Sequence, residues 1–275
     1  MKKLFASAFA LLAVSLTYAQ SNKDVSTQTG NQNEATITQV GTLNDNTMLQ
    51  NGNTNDATIR QEGTGNENDV LSEGNQNLVT LNQLGTANVN LTTQSGNQNK
   101  AENVQNGTEN SIEQLQTGSF NSMKGTQTGL DNDIFQQQTG LGHVATGSQN
   151  GADNEIVQLQ ASNSSFAGAW QTGDDNSIRQ QQHLGTGHYA YHVQNGDNNT
   201  VLSYQEGPGQ WLTNRGFQTG DFNLIEQTQY GTMHDARDTQ IGDYNTITVE
   251  QFGAGHHHTG RQQGDYNTMT VSQSN

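Results

Sequence analysis

Apolar and polar residues alternate in short runs along almost the whole chain. Between Asn245 and Gln251, Asn245, Ile247, Val249 and Gln251 share one parity, and Thr246, Thr248 and Glu250 the other. Side chains two apart lie on one face of a strand, so the run predicts a short strand, with Gly242 and Gly253 as flanking turns. The pattern restarts at Gln240, Gln251 and Gln262, a period of eleven residues.

The same register runs back through the sequence. It begins Gln28, Gln39, Gln50, Gln61, Ser72, Gln83, Gln94, Gln105, Gln116, Gln127, Gln138, Gln149, Gln160, Gln171 and Gln182. One extra residue shifts it to Gln194 and Gln205, two more shift it to Gln218, and it continues through Gln229, Gln240, Gln251, Gln262 and Gln273. Ser72 is the only one of these 23 positions that is not glutamine. Repetition of this kind is the signature of stacked structural units.

Glycine follows two residues after nearly every glutamine. These are Gly30, Gly41, Gly52, Gly63, Gly74, Gly85, Gly96, Gly107, Gly118, Gly129, Gly140, Gly151, Gly173, Gly196, Gly220, Gly231, Gly242, Gly253 and Gly264. A turn that needs positive φ would demand glycine there. Three residues further on stands asparagine, as at Asn33, Asn44, Asn55, Asn110, Asn132, Asn154, Asn176, Asn199, Asn223, Asn245 and Asn267. From Asn132 onward this slot alternates, with His143, Ser165, His188, Gln210, His234 and His256 between the asparagines. Alternate eleven-residue units therefore differ, and the structural repeat is about 22 residues, strand–turn–strand–turn.

The expected fold is all-β, a β-solenoid of about eleven such coils forming two stacked parallel sheets, amyloid-like, roughly 50 Å long at strand spacing. Inward sets read Asn33/Ala35/Ile37/Gln39, Asn55/Ala57/Ile59/Gln61, Asn110/Ile112/Gln114/Gln116, Asn176/Ile178/Gln180/Gln182 and Asn267/Met269/Val271/Gln273. Each strand then buries an apolar centre between two amides, and stacked amides satisfy one another as ladders. The opposite parity would bury unpaired charge from Arg60, Glu67 and Asp69.

Composition tests this picture. Only 29% of residues are hydrophobic and 31 are glycine, which taken alone would indicate disorder; the strict period argues for order. There is no cysteine, so disulfides do not hold the fold. The formal net charge of −16 excludes a nucleic-acid binder or a binder of anionic lipid.

Met1 to Ala19 breaks the pattern. Lys2 and Lys3 precede an apolar run from Leu4 to Leu16, and Thr17-Tyr18-Ala19 reads as a cleavage site. That is a secretory signal peptide. The expected organisation is signal peptide at 1–19, a short N-terminal segment at 20–27 and repeats over 28–275, with no membrane insertion after cleavage.

Outward positions are mostly Thr, Ser, Asp, Glu and Gln. Phe166, Trp170, Tyr189, Tyr191, Trp211 and Phe217 depart from this on three successive strands of one sheet, and form a candidate binding patch. The neighbouring insertions offer the plainer explanation, that these rings pack against them. The eight histidines raise metal binding, but His256-His257-His258 alternate in direction and no ligand spacing recurs, so histidine reads as a stacking substitute for asparagine. No catalytic motif appears, and the nearest carboxylate cluster is Asp235 to Asp238 around Arg237. The expectation is a non-enzyme without cofactor.

The motif Gln-x-Gly-x-x-Asn-x-Ala/Ile-x-x-x-Gln, as in Gln28…Gly30…Asn33-Glu-Ala35…Gln39 and Gln218…Gly220…Asn223-Leu-Ile225…Gln229, resembles the curlin repeat over roughly 28–273. The resemblance implies a subunit of an extracellular curli-type amyloid fibre on a bacterial surface, exported through the periplasm by a dedicated secretion channel. Its expected partners are itself, a second curlin subunit and that channel. Strand edges left unpaired at both ends of a repeat array also favour end-to-end polymerisation. The alternative is a monomeric secreted solenoid, an adhesin or ice-binding protein with a flat outer face. Thr36/Thr38, Thr246/Thr248 and Thr268/Thr270 suit ice binding, but intervening coils interrupt the row.

Overall fold

In the computed structural model, residues 21–275 are described, and the signal peptide expected at 1–19 lies outside them. Twenty-three strands follow one another from β1 (Lys23–Asn31) to β23 (Thr268–Ser274). Odd-numbered strands form a 12-stranded sheet and even-numbered strands an 11-stranded one, each strand pairing with the strand one coil further on. All pairings are parallel and, but for a register shift after Ala161, residue-matched: Gln28 lies opposite Gln50 and Gly30 opposite Gly52. The chain is the β-solenoid that its period predicts. β1 starts at Lys23, so regular structure takes in most of the segment set apart before Gln28. Among the described residues no helix is long and apolar enough to cross a membrane.

Parity is as the alternation requires. In β4 (Asp56–Thr64) Ala57, Ile59 and Gln61 are buried, while Asp56, Thr58 and Arg60 are exposed. Coils join through backbone bonds between strand starts, such as Asp56 N–H to the Asn77 carbonyl at 2.9 Å. This continuous pairing is how so polar a chain satisfies its buried backbone.

Most turns use two residues of positive φ. The glycine after the glutamine has φ +125° at Gly63, and its Cα so nearly touches the next coil that a Cβ would sit 1.9 Å from the Gly85 oxygen. The second left-handed residue stands just before the asparagine slot and is usually not glycine: Leu43, Phe120, Trp211, Phe222, Tyr244 and Tyr266 all adopt it. Those residues sit at φ +56° to +65°, whereas Gly63 lies at +125°, a region closed to side chains, so the recurrent glycine is demanded both by its φ and by the close approach of successive backbones.

The core changes columns along its length. In the odd sheet Asn46, Asn68 and Asn90 stack in one column and Met48 and Val70 in the next. From Ile112 onward the apolar ladder runs in the first column, and Gln114, Gln136, Gln158 and Gln180 fill the second. Gly125 and Gly147 stand beside the new glutamine column, where earlier coils carry Ile59 and Leu81. The apolar residues accordingly form two clusters, one from Met48 to Ala101 and one from Ile112 to Val249.

One expected position moves. Counting forward from Gly207 puts Gln210 in the asparagine slot, yet Gln210 is exposed and Leu212 is fully buried there. The two extra residues lie ahead of the slot, and the Leu212 carbonyl accepts from Tyr189 N–H at 2.8 Å, the bond that His188 makes to Phe166 one coil earlier.

Candidate functional site

Three features set what this surface and its interior can do: the amide ladders, a buried titratable cluster and the outer aromatic rows. The glutamine ladders run through both sheets. In the even sheet Gln39 Nε2 donates to Gln61 Oε1 at 2.8 Å, Gln61 to Gln83 at 2.9 Å, and so on to Gln240, which donates to Gln262 at 3.0 Å. In the odd sheet the series closes with Gln229 to Gln251 at 2.8 Å and Gln251 to Gln273 at 2.7 Å. The same Nε2 also reaches backbone: Gln127 donates to the Ser111 carbonyl at 2.7 Å and the Asn132 carbonyl at 2.8 Å. Ser72 interrupts the odd ladder, and Gln50 Nε2, buried beneath it, has no partner.

The asparagines run the opposite way. Asn132 Oδ1 accepts from Asn154 Nδ2 at 2.9 Å, and Asn132 Nδ2 donates to the Gly151 carbonyl at 2.9 Å. The asparagine thus satisfies the turn whose backbone the glycine allows to come close. Histidine does this differently. His234 Nδ1 accepts from His256 N–H at 3.2 Å as an asparagine oxygen would, while its Nε2 meets the Tyr230 carbonyl at 3.1 Å. The two rings stack at 5.1 Å. Burial pushes His143, His188 and His234 below the usual imidazole range.

A buried polar chain crosses the core near the C-terminal coils. Gln180 Nε2 donates to His192 Nδ1 at 2.7 Å, and His192 Nε2 lies 3.1 Å from Gln227 Oε1. Gln227 Nε2 donates to Asp238 Oδ2 at 2.7 Å, and His258 Nε2 lies 3.0 Å from Asp238 Oδ1. Full burial pulls His192 down to about 4, and burial pushes the Asp238 carboxyl up. The interior therefore does hold one carboxylate, on the same inward parity as Gln240. Its neighbours Asp235 and Arg237 point outward and pair with each other at 2.7 Å, so residues 235–238 are split between two faces. Among the described residues no three His, Cys, Asp or Glu side chains converge as a metal site.

The six expected patch residues come together. Phe166 stacks on Tyr189 at 4.9 Å, Trp170 meets Tyr191 at 4.8 Å and Tyr191 meets Phe217 at 5.7 Å. Arg215 lies over the Tyr189 ring at 5.1 Å. Trp211, 64% exposed, stands at the turn edge of a groove of about 450 Å³ walled by Phe166, Tyr189 and Arg215.

Two further aromatic rows run along the stack, the first of them outside any reading by sheet faces. Phe222, Tyr244 and Tyr266 stack at 4.8 and 4.9 Å with nearly parallel rings, at the left-handed turn position. Beside them Asp197 N–H donates to Asp221 Oδ1, and Asp221 and Asp243 continue this to Asp243 and Asp265, at 2.8 to 2.9 Å. The recurrence of Gly-Asp-Phe/Tyr-Asn at 220, 242 and 264 carries that signal. On the odd sheet Tyr204, Tyr230 and Phe252 form a second row at 5.4 and 5.2 Å.

Residues 52–85 match the family model of the curlin associated repeat. No curated protein matches the chain.

Proposed function

The chain carries the curlin repeat, and from that premise we propose that it is a secreted structural subunit that assembles end to end into extracellular amyloid fibres of the curli type. The carrying observation is the polarity of the ladders. Along both sheets, except where Ser72 stands in the odd one, glutamine Nε2 on the N-terminal side donates to Oε1 on the C-terminal side. Asparagine Oδ1 on the N-terminal side accepts from the next coil. One face of a coil is thus the complement of the opposite face and not of itself. A coil from a second copy meets the same complement as a coil of the same chain, head to tail, in a contact that does not close on itself.

Secretion rests on the leader expected at 1–19, and adhesion, biofilm matrix, a second curlin subunit and a dedicated secretion channel rest on the family. Thioflavin fluorescence and fibre diffraction of the purified chain at neutral pH test the assembly. Seedable fibres with reflections near 4.7 Å and about 10 Å are expected. A chain that stays monemeric and β-rich at concentrations where seeds are added sinks the proposal and leaves a monomeric solenoid that acts through its outer face.

A further inference from the structure

The outer face of the even sheet carries one built feature that neither stacking nor fibre growth uses. Strands β14 (Phe166–Thr172), β16 (Tyr189–Asn195) and β18 (Thr213–Thr219) lie side by side. Their rings form a continuous track across the strands. It starts at Trp211 on the turn edge, passes the Phe166–Tyr189 stack and Tyr191, and ends between Trp170 and Phe217.

The track is flat because of a glycine. Gly168 occupies an outward position between Phe166 and Trp170, and a Cβ there would meet the Trp170 ring at 2.6 Å and the Phe166 ring at 2.9 Å. Its φ lies outside the left-handed range, so no turn demands glycine here. Glycine inside a strand weakens it and often marks a close approach. At Gly168 it lets two rings lie down on the sheet.

The groove beside the rings is lined by uncharged polar side chains and one cation. Thr186, Gln210 and Thr213 edge the groove, and Arg215 projects over Tyr189. Among the described residues Arg215 has no carboxylate within ion-pair distance, whereas Arg60 and Arg237 each have one. On a chain of net charge −16 the groove is lined by no acid and holds an unpaired guanidinium, while Asp235 on the adjoining strand pairs with Arg237 and His257.

We propose that this track binds a linear polysaccharide. Sugar rings present C–H faces to the aromatic platform, hydroxyls suit the Thr and Gln edge, and Arg215 donates to hydroxyl or uronate oxygens. An extended track several rings long, confined to three strands, fits a linear chain better than a globular surface. A second copy of this chain is the poorer occupant, because Trp211 protrudes and the rest of the outer surface is mostly hydrophilic and acidic.

The test uses a built-in probe: Trp170 and Trp211 are the two tryptophans of the chain, and both lie in the track. Purified chain is titrated with cellohexaose and with hexagalacturonate while tryptophan emission is followed. A saturable change is expected with both, and R215Q is expected to weaken the acidic oligosaccharide more than the neutral one. Y191A and W211A each weaken binding about five- to tenfold, the size of one lost ring contact. G168A, which lifts Phe166 and Trp170, weakens it comparably. Y244A, in the separate turn row, leaves it unchanged. No emission change with either sugar at millimolar concentration overturns the proposal. So does undiminished affinity in W211A, whose substitution lies on an exposed loop and spares the fold. An emission change that follows protein concentration without sugar assigns the track to a second copy and also overturns it.

Discussion

Gly63 and Gly65 stand two residues apart in one turn, both with positive φ, and the structure separates their roles. A Cβ on Gly63, at φ +125°, would lie 1.9 Å from the Gly85 oxygen and 2.8 Å from its carbon. Both atoms are backbone of the next coil, so G63A must push two coils apart by about 1 Å locally or abandon the turn. The turn conformation alone costs about 1–3 kcal/mol for a residue with a side chain. Separation also loosens the bonds that close this turn, from Asn66 Nδ2 to the Gly85 carbonyl at 3.1 Å and from Ala87 N–H to the Thr64 carbonyl at 3.0 Å. At about 1 kcal/mol each, these bring the expected loss to about 3–5 kcal/mol. Gly65, at φ +67°, has nothing within 4 Å of its would-be Cβ. Asparagine tolerates that region, and replacing glycine stiffens the unfolded chain, so G65N is expected within about 1 kcal/mol of the parent. Guanidinium unfolding of both variants measures the difference. Hydrogen exchange should place the damage of G63A in the coils on either side, because stacked repeats couple to their neighbours. Equal losses in G63A and G65N would refute the close-approach argument.

S72Q refills the interrupted glutamine ladder and gives Gln50 Nε2 its missing acceptor, so it is expected to stabilise by about 1 kcal/mol in the same unfolding assay; a loss would mean that the serine site has no room for the longer amide. For acid stability the sign follows from His192. Its imidazole takes a proton near pH 6.5 when unfolded and only near about 4 when folded. The stability present above pH 6.5 is therefore lost as pH falls toward 4, about 2–3 kcal/mol by pH 4.5. H192Q, which continues the neighbouring glutamines, should lose that much less between pH 7 and pH 4.5. Asp238 runs the other way, since its raised pKa makes its burial less costly as pH falls, and D238N should steepen the net acid loss. Equal acid slopes in H192Q and the parent would show that His192 is not the group that titrates.

Much of this architecture was legible because two periods coincide. Alternation assigns faces, the eleven-residue period assigns turns, and the alternating Asn/His slot doubles the period into a coil with two sheets. What escaped did so for local reasons. The insertion after Gly207 shifts the slot from Gln210 to Leu212, and only the bond from Tyr189 N–H settles where the extra residues go. Asp238 lies on the inward parity, but its acceptability depends on Gln227 and His258, which arrive from β19 (Leu224–Thr232) and β22 (His257–Gln263). Phe222, Tyr244 and Tyr266 lie in turns, where strand parity has no meaning. The aromatic track could be read as a cluster from spacing, whereas its flatness needed the contacts at Gly168.

The buried atoms that lack partners say where a polar core is costly. Gln50 Nε2 lies beneath Ser72, and Asn103 Oδ1 and Gln114 Oε1 lie where the apolar and amide columns change places. His188 Nδ1 lies at the one-residue insertion, and Asn214 Oδ1 on the strand after the two-residue insertion. Each is a break in like-on-like stacking, and each costs about 1–3 kcal/mol. Within an unbroken ladder such as Gln105 to Gln171, every amide is both donor and acceptor to its neighbours. The cost of amides in the core thus scales with the number of interruptions and not with the number of coils. Adding a matching coil creates no new unsatisfied group, whichever molecule that coil belongs to, and this makes a 29% hydrophobic chain compatible with a long stack.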